Sequence, residues 1–167
     1  MSGVSLVQAT RQLPCSVVIV TTQYGDESDA MTASAMFVSE NPPFLVVSIS
    51  KTFKTYQLIE KSHEFVINVL AGDKVNLANQ LGSIHGRDID KLTKFNVVTE
   101  KAAKINSPVI CGCFANFECK VKTSLADIEG EHSIYLAEVV AHKINPGLAP
   151  LVWLNNRFYG VGNESKV

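Results

Sequence analysis

Five side chains within eight positions, Ser48, Ser50, Lys51, Lys54 and Thr55, could hold an anion between them. Hydroxyls and ammonium groups both donate hydrogen bonds. Lys54 and Thr55 also stand where a helix should begin, so unpaired N–H groups and the helix dipole would favour negative charge there. A lysine in the first helical turn opposes that dipole, which points to a negative partner. The plainer alternative is helix capping with solvated lysines. A second stretch, Met31-Thr32-Ala33-Ser34-Ala35-Met36, offers a different chemistry. Its small side chains let main-chain amides approach a flat surface, although such runs also occur in ordinary strands. Between the two lie Glu40-Asn41-Pro42-Pro43 and the apolar run Phe44-Leu45-Val46-Val47. The pair reads as a cradle for a flat ligand with an anionic end.

The elements that would position these residues are mostly strands. Cys15 to Thr22 is β-branched and ends before the turn signal Tyr24-Gly25-Asp26. Asp29 to Met36 should return as the second strand of a hairpin. The unbroken Phe44 to Ser50 predicts a strand buried on both sides, as in a barrel wall. Thr55 to Lys61 should be a helix with Tyr56 and Ile59 facing inward. Phe65 to Leu70 is another strand, and Asp73 to Leu81 a second helix capped by Asp73. Ser83 to Phe95 is a polar, irregular or short helical excursion. Strands resume at Asn96 to Thr99, Ala115 to Lys122, Ser133 to Ile144 and Leu151 to Tyr159. A short amphipathic helix opens the chain around Val4, Val7 and Arg11. Antiparallel connections of turn length favour a closed or split barrel. No Gly-x-Gly-x-x-Gly follows a strand, so a Rossmann unit is not supported.

Composition narrows the function classes. The 167 residues are 46% apolar and 19% charged with a net charge of -1, which fits one globular domain across 1–167. A near-neutral balance argues against nucleic acid or an anionic membrane as partner. No apolar run approaches a membrane span, and no signal peptide is evident, so the cytoplasm is the expected compartment. Cys111-Gly112-Cys113 is too tightly spaced for a usual zinc pair and no histidine pair completes a site. The four cysteines, with Cys15 and Cys119, are expected as reduced, partly buried thiols, and no metal is expected. A Gly-x-Ser-x-Gly elbow is absent, so no hydrolase nucleophile is legible.

In order and spacing, the two cradle segments resemble the flavin reductase-like family. The similarity extends to Phe65-Val66-Ile67-Asn68-Val69-Leu70, Asp90-Lys91-Leu92, Glu118-Cys119-Lys120-Val121 and Gly130-Glu131-His132-Ser133-Ile134-Tyr135. It covers roughly residues 9 to 160. The resemblance implies a mainly β fold, an antiparallel Greek-key FMN-binding split β-barrel with a few inserted helices. It implies FMN as cofactor, with FAD as an alternative, and NAD(P)H as electron donor. FMN wants hydroxyls, amides and cations at its phosphate and small polar groups along its ribityl. Its ring wants an apolar bed with N–H donors where reduction accumulates negative charge.

Carried over position by position, Met31, Thr32, Ala33, Ser34 and Ala35, with Val38 and Ser39, would contact ring and ribityl. Ser48, Ile49, Ser50, Lys51, Phe53, Lys54 and Thr55 would wrap ribityl and phosphate. Ser83 and Arg87 would approach the phosphate end, where the guanidinium fork suits a phosphate. Phe53 stands where many relatives carry a small polar residue, so it would stack near the flavin or line an entrance. His132 would be the catalytic-site histidine beside the nicotinamide, and Tyr159 a second NAD(P)H contact. His63 and His142 read as surface residues. The resemblance also implies a homodimer and a redox partner such as a monooxygenase. Three activities follow: an NAD(P)H-dependent flavin reductase, a flavoredoxin-like carrier with permanently held FMN, or a non-catalytic flavin-binding module.

Overall fold

The computed structural model describes residues 5–84, 89–126 and 129–162. A seven-stranded antiparallel sheet organises the chain, built from β2 (Val18–Tyr24), β3 (Glu27–Ala33), β4 (Ala35–Glu40), β5 (Pro43–Ser50), β6 (Glu64–Val69), β9 (Ala115–Leu125) and β10 (His132–Ile144). Its order is β3-β2-β6-β9-β10-β5-β4. The two edge strands, β3 and β4, are thus consecutive in sequence and joined through Ser34. The sheet curls so that these edges approach around Ser34 without pairing, which is a barrel split along one seam. Ser16 bridges that seam, donating to the Ala35 carbonyl at 2.6 Å and accepting from its N–H at 3.2 Å.

The expected hairpin of Asp29 to Met36 is therefore corrected. The chain breaks at Ser34, and the two halves belong to opposite edges of the sheet. Alternation explains the barrel interior. Val18, Val20, Met31, Val47, Ile49, Phe65, Ile67, Cys119 and Tyr135 point inward and form one core, closed by Ile59 from α2 (Lys54–Ser62). The expectation that Phe44 to Ser50 is buried on both sides is corrected: Val47, Ile49 and Ser50 are buried, but Phe44, Leu45 and Val46 are half-buried and Ser48 is exposed.

A second core lies outside the barrel wall. Val17, Ile19, Ala30, Ala78, Leu81, Ile110 and Leu151 pack α3 (Val75–Ser83) and a C-terminal hairpin against the outer face of β2 and β3. That hairpin is β11 (Leu151–Leu154) and β12 (Arg157–Gly160), not one strand, because Asn155 and Asn156 take φ of 49° and 62°. Asparagine tolerates the left-handed region that a two-residue turn needs. β11 also pairs with β1 (Cys15–Ser16). A buried amide staples the strands: Asn68 Nδ2 donates to Ile19 O at 2.9 Å while Oδ1 accepts from Ile110 N–H and Asn116 Nδ2.

Smaller departures have local causes. α1 (Leu6–Thr10) is closed by a Ser5–Gln8 capping box. α3 begins at Val75 with Lys74 as N-cap, so Asp73 does not cap it. The strand expected at Asn96 to Thr99 reduces to β7 (Thr99–Glu100), which pairs with β8 (Val109–Ile110). Within the polar excursion, α4 (Lys91–Lys94) is capped by Asp90, whose carboxyl is held below its usual range by the Thr93 hydroxyl and N–H. The cysteines are free thiols. Burial pushes Cys113 up to about 11 and Cys119 up to about 12, so both stay protonated.

Candidate functional site

Four predicted residues, Thr32, Ala33, Ser34 and Ser83, line a cavity of about 510 Å³ between β3, α3 and the C-terminal hairpin, the first three on its floor. That volume lies within the roughly 300–1,000 Å³ typical of small-molecule pockets. Val17, Ala78, Asn79, Gly82 and Ser83 complete the floor and one side; Trp153 and Phe158 form the other. Small residues on one side and two aromatic rings on the other leave a slot suited to a planar ligand.

The floor is held by a contact between segments distant in sequence. Thr32 Oγ1 donates to the Ala78 carbonyl at 2.6 Å, tying β3 to α3. A Cβ at Gly82 would stand 3.3 Å from both Thr32 Cβ and Oγ1, so glycine keeps helix and strand this close. Trp153 and Phe158 face each other across the hairpin by register, as do Val152 and Tyr159. Directly paired residues share a sheet face. Phe158, not Tyr159, therefore lines the cavity, and Tyr159 lies on the opposite face, 46% exposed.

The hydroxyl cluster sits beside this slot. Ala35 pairs with Val47, which brings Ser34 next to Ser48. On the other side of β5, His132 pairs with Ser50 and Ile134 with Ser48. Ser48 and His132 are exposed; Ser50 is buried with its hydroxyl 3.0 Å from that of Thr52. Lys51 reaches the Gly130 carbonyl at 3.4 Å. Ser34, Ser48, Ser50, Lys51 and His132 thus converge from separate segments.

The start of α2 is a distinct feature. Its N-cap is Phe53, whose side chain makes no capping hydrogen bond. Lys54, the first helical residue, lies 3.2 Å from Glu27 at the far end of β3. Glu27 and Thr32 are five residues apart on that strand, about 17 Å at strand rise. A ligand reaching from the slot to α2 would have to be elongated. Thr55 is fully buried and its hydroxyl donates to Asp29 Oδ2 at 2.5 Å, which leaves its N–H as the group an anion could use.

Other predicted residues are placed elsewhere. Met31 and Ile49 point into the barrel core, and Phe53 packs against it. Val38 is exposed at a bulge of β4. Ser39 donates to Pro42 O and lines a second groove of about 630 Å³ with Phe37, Phe44 and Ile144. That groove is larger but almost wholly apolar, whereas Thr32, Ser34 and Ser83 line the slot and Ser48 lies beside it. Ser83 borders the slot, with its hydroxyl on Gln80 O. Arg87 lies outside the described residues. Among the described residues no cluster could hold a metal ion, and no helix is long and apolar enough to cross a membrane.

Sequence reasoning misses Trp153, Phe158, Ala78 and Gly82. The signals that could find them are a lone tryptophan in the chain and a glycine inside a helical pattern.

Residues 10–162 match the flavin reductase like domain. The chain belongs to that family. It is 27% identical to the FMN reductase (NADH) RutF of Agrobacterium fabrum over 90% of this chain and 83% of that protein. NADH:FAD oxidoreductase SgcE6 of Streptomyces globisporus superposes with a TM-score of 0.85 at 24% identity, covering 95% of this chain and 92% of that one. BorF, the flavin reductase component of a bacterial two-component tryptophan halogenase, superposes with a TM-score of 0.82 at 25% identity, over 95% and 98%. These likenesses agree with the antiparallel split barrel.

Proposed function

We propose that this flavin reductase-like protein binds FMN, accepts hydride from NADH or NADPH, and passes the electrons to free flavin or to a partner protein such as a monooxygenase component. The observation that carries the reading is the slot itself, small-floored by Thr32 to Ser34 and walled by Trp153 and Phe158. The residues fit an isoalloxazine: Thr32, Ala33, Ser34, Ala78 and Gly82 are all small and leave room for a flat ring against the floor. Bound flavin would supply the hydride-accepting chemistry. The chain's own part is to hold the ring by apolar contact, to offer Ser34 and Ser48 hydroxyls, and to place His132 at the margin where a nicotinamide would approach. Lys54 and the leading N–H groups of α2 would hold the phosphate, with Arg87 as a further candidate, whereas Ser83 on the slot wall would meet the ring end. RutF's name supports FMN and NADH, and BorF's supports a protein partner.

A homodimer is part of the same proposal. Met36 and Phe37 on the edge strand β4 are 63% and 59% exposed, continuous with the apolar groove at Phe44 and Ile144. Exposed apolar patches of this kind mark interfaces.

The purified protein should be yellow or become so with FMN, and anaerobic NADH should bleach the flavin band. Bleaching by NADPH alone would reassign the donor. A flavin retained but bleached only by a protein reductant would favour the carrier reading. No flavin uptake would remove the proposal.

Glu27 makes a further test. It is 61% exposed, and an exposed ion pair is worth at most about 1 kcal/mol. A phosphate should therefore displace it from Lys54. Glu27→Gln should tighten FMN by up to about fivefold and leave riboflavin unchanged, with the gain shrinking in high salt. Fluorescence titrations of both flavins at two salt concentrations check this; equal tightening of both would place the effect away from the phosphate.

A further inference from the structure

Lys91 opens a one-turn helix, yet its side chain is buried, 2% exposed, against an equally buried Asp29. Its Nζ lies 3.2 Å from Asp29 Oδ1 and 3.4 Å from Oδ2, and donates to the Ala30 carbonyl at 2.9 Å. On the other side of the carboxylate, Thr55 Oγ1 donates to Oδ2 at 2.5 Å. Removing two charges from water is costly, and an apolar pair of similar volume would join the same elements at least as well. Stability alone does not explain the arrangement.

What it connects does. β3 carries Asp29 near its start and Thr32 and Ala33, the floor of the slot, at its end. Thr55 is the second residue of α2, so its N–H is one of the leading donors and its neighbour is Lys54. We propose that the Lys91–Asp29–Thr55 chain is a positioning device for the anion end of the flavin site, an inference that rests on the phosphate reading above. The Thr55 hydroxyl fixes the first turn of α2 against the strand that floors the slot. Lys91 does two things: it holds the carboxylate in place and cancels a negative charge that would otherwise oppose a phosphate nearby. Both ends of the ligand are then registered through one strand, which lowers the ordering cost of binding.

The test compares FMN with riboflavin, which lacks the phosphate, in Thr55→Val, Lys91→Met and, in parallel, Lys54→Ala. Each dissociation constant is read from flavin fluorescence, with melting temperatures alongside. Thr55→Val replaces the hydroxyl with a methyl group and keeps the shape. It should weaken FMN about tenfold while riboflavin moves less than about twofold. Lys91→Met should show the same selective loss at least as strongly. A merely structural role would weaken both flavins alike, or neither, and either result overturns the proposal. Should Lys91→Met fail to fold because Asp29 is left unpaired, Thr55→Val decides. If Lys54→Ala is FMN-selective and Thr55→Val is not, the positioning role fails and the phosphate reading stands. If Lys54→Ala is not selective, the phosphate reading fails and this proposal with it.

Discussion

Ser34→Phe should weaken FMN and riboflavin together by roughly 10- to 100-fold while the protein folds normally. Ser34 is exposed at the seam between β3 and β4 and lines the slot without belonging to either core. A phenyl group there would occupy the space a ring needs. The flavin would then leave an aromatic-sized surface in water, at a cost of about 1.5–3 kcal/mol. A factor of ten corresponds to about 1.4 kcal/mol. Trp153 is the chain's single tryptophan and walls the same slot, so its emission reports occupancy directly. FMN should quench it in the parent protein and leave it nearly unchanged in Ser34→Phe. Unaltered quenching in the variant would mean that the ring binds elsewhere.

The second large effect separates the phosphate from the ring. Lys54→Ala combined with Arg87→Ala should weaken FMN by about 100-fold or more and riboflavin by less than about threefold. Each charge-assisted hydrogen bond to a phosphate contributes about 1.5–3 kcal/mol, so two account for the factor. Equal losses for the two flavins, read in parallel titrations, would reject Lys54 as a phosphate contact. Lys54 would then serve only its ion pair with Glu27. Ser34→Phe and the lysine–arginine double substitution thus give opposite patterns, one blind to the phosphate and one dependent on it.

Much of the scaffold is legible in the sequence because it obeys local rules. Phe44 to Ser50 and Phe65 to Leu70 are mostly apolar runs and Ala115 to Lys122 alternates apolar with polar residues, and each lies in a strand within a few residues of the expected bounds. The helix after Phe53 follows its apolar spacing, with Leu58 and Ile59 buried. Two failures are equally physical. Asp29 to Met36 reads as one continuous strand, since nothing local tells Ser34 that its neighbours belong to opposite sheet edges. Asn155-Asn156 does not stand out as a turn because asparagine is a weaker turn signal than glycine, although it tolerates the same left-handed backbone.

For the candidate site, residue order alone marks the small-residue stretch, the hydroxyl and lysine cluster and His132, because side-chain size and charge are properties of the chain itself. Barrel closure decides which of them meet. Pairing of β5 with β4 and β10 sets Ser34, Ser48, Ser50 and His132 side by side, while strand alternation turns Met31 and Ile49 into the core. The aromatic wall of Trp153 and Phe158 faces a floor from the opposite end of the chain, and Lys91 meets Asp29 from 62 residues away. Contacts of that reach depend on how layers pack and on which face each residue presents. Neither is encoded in any short window of sequence.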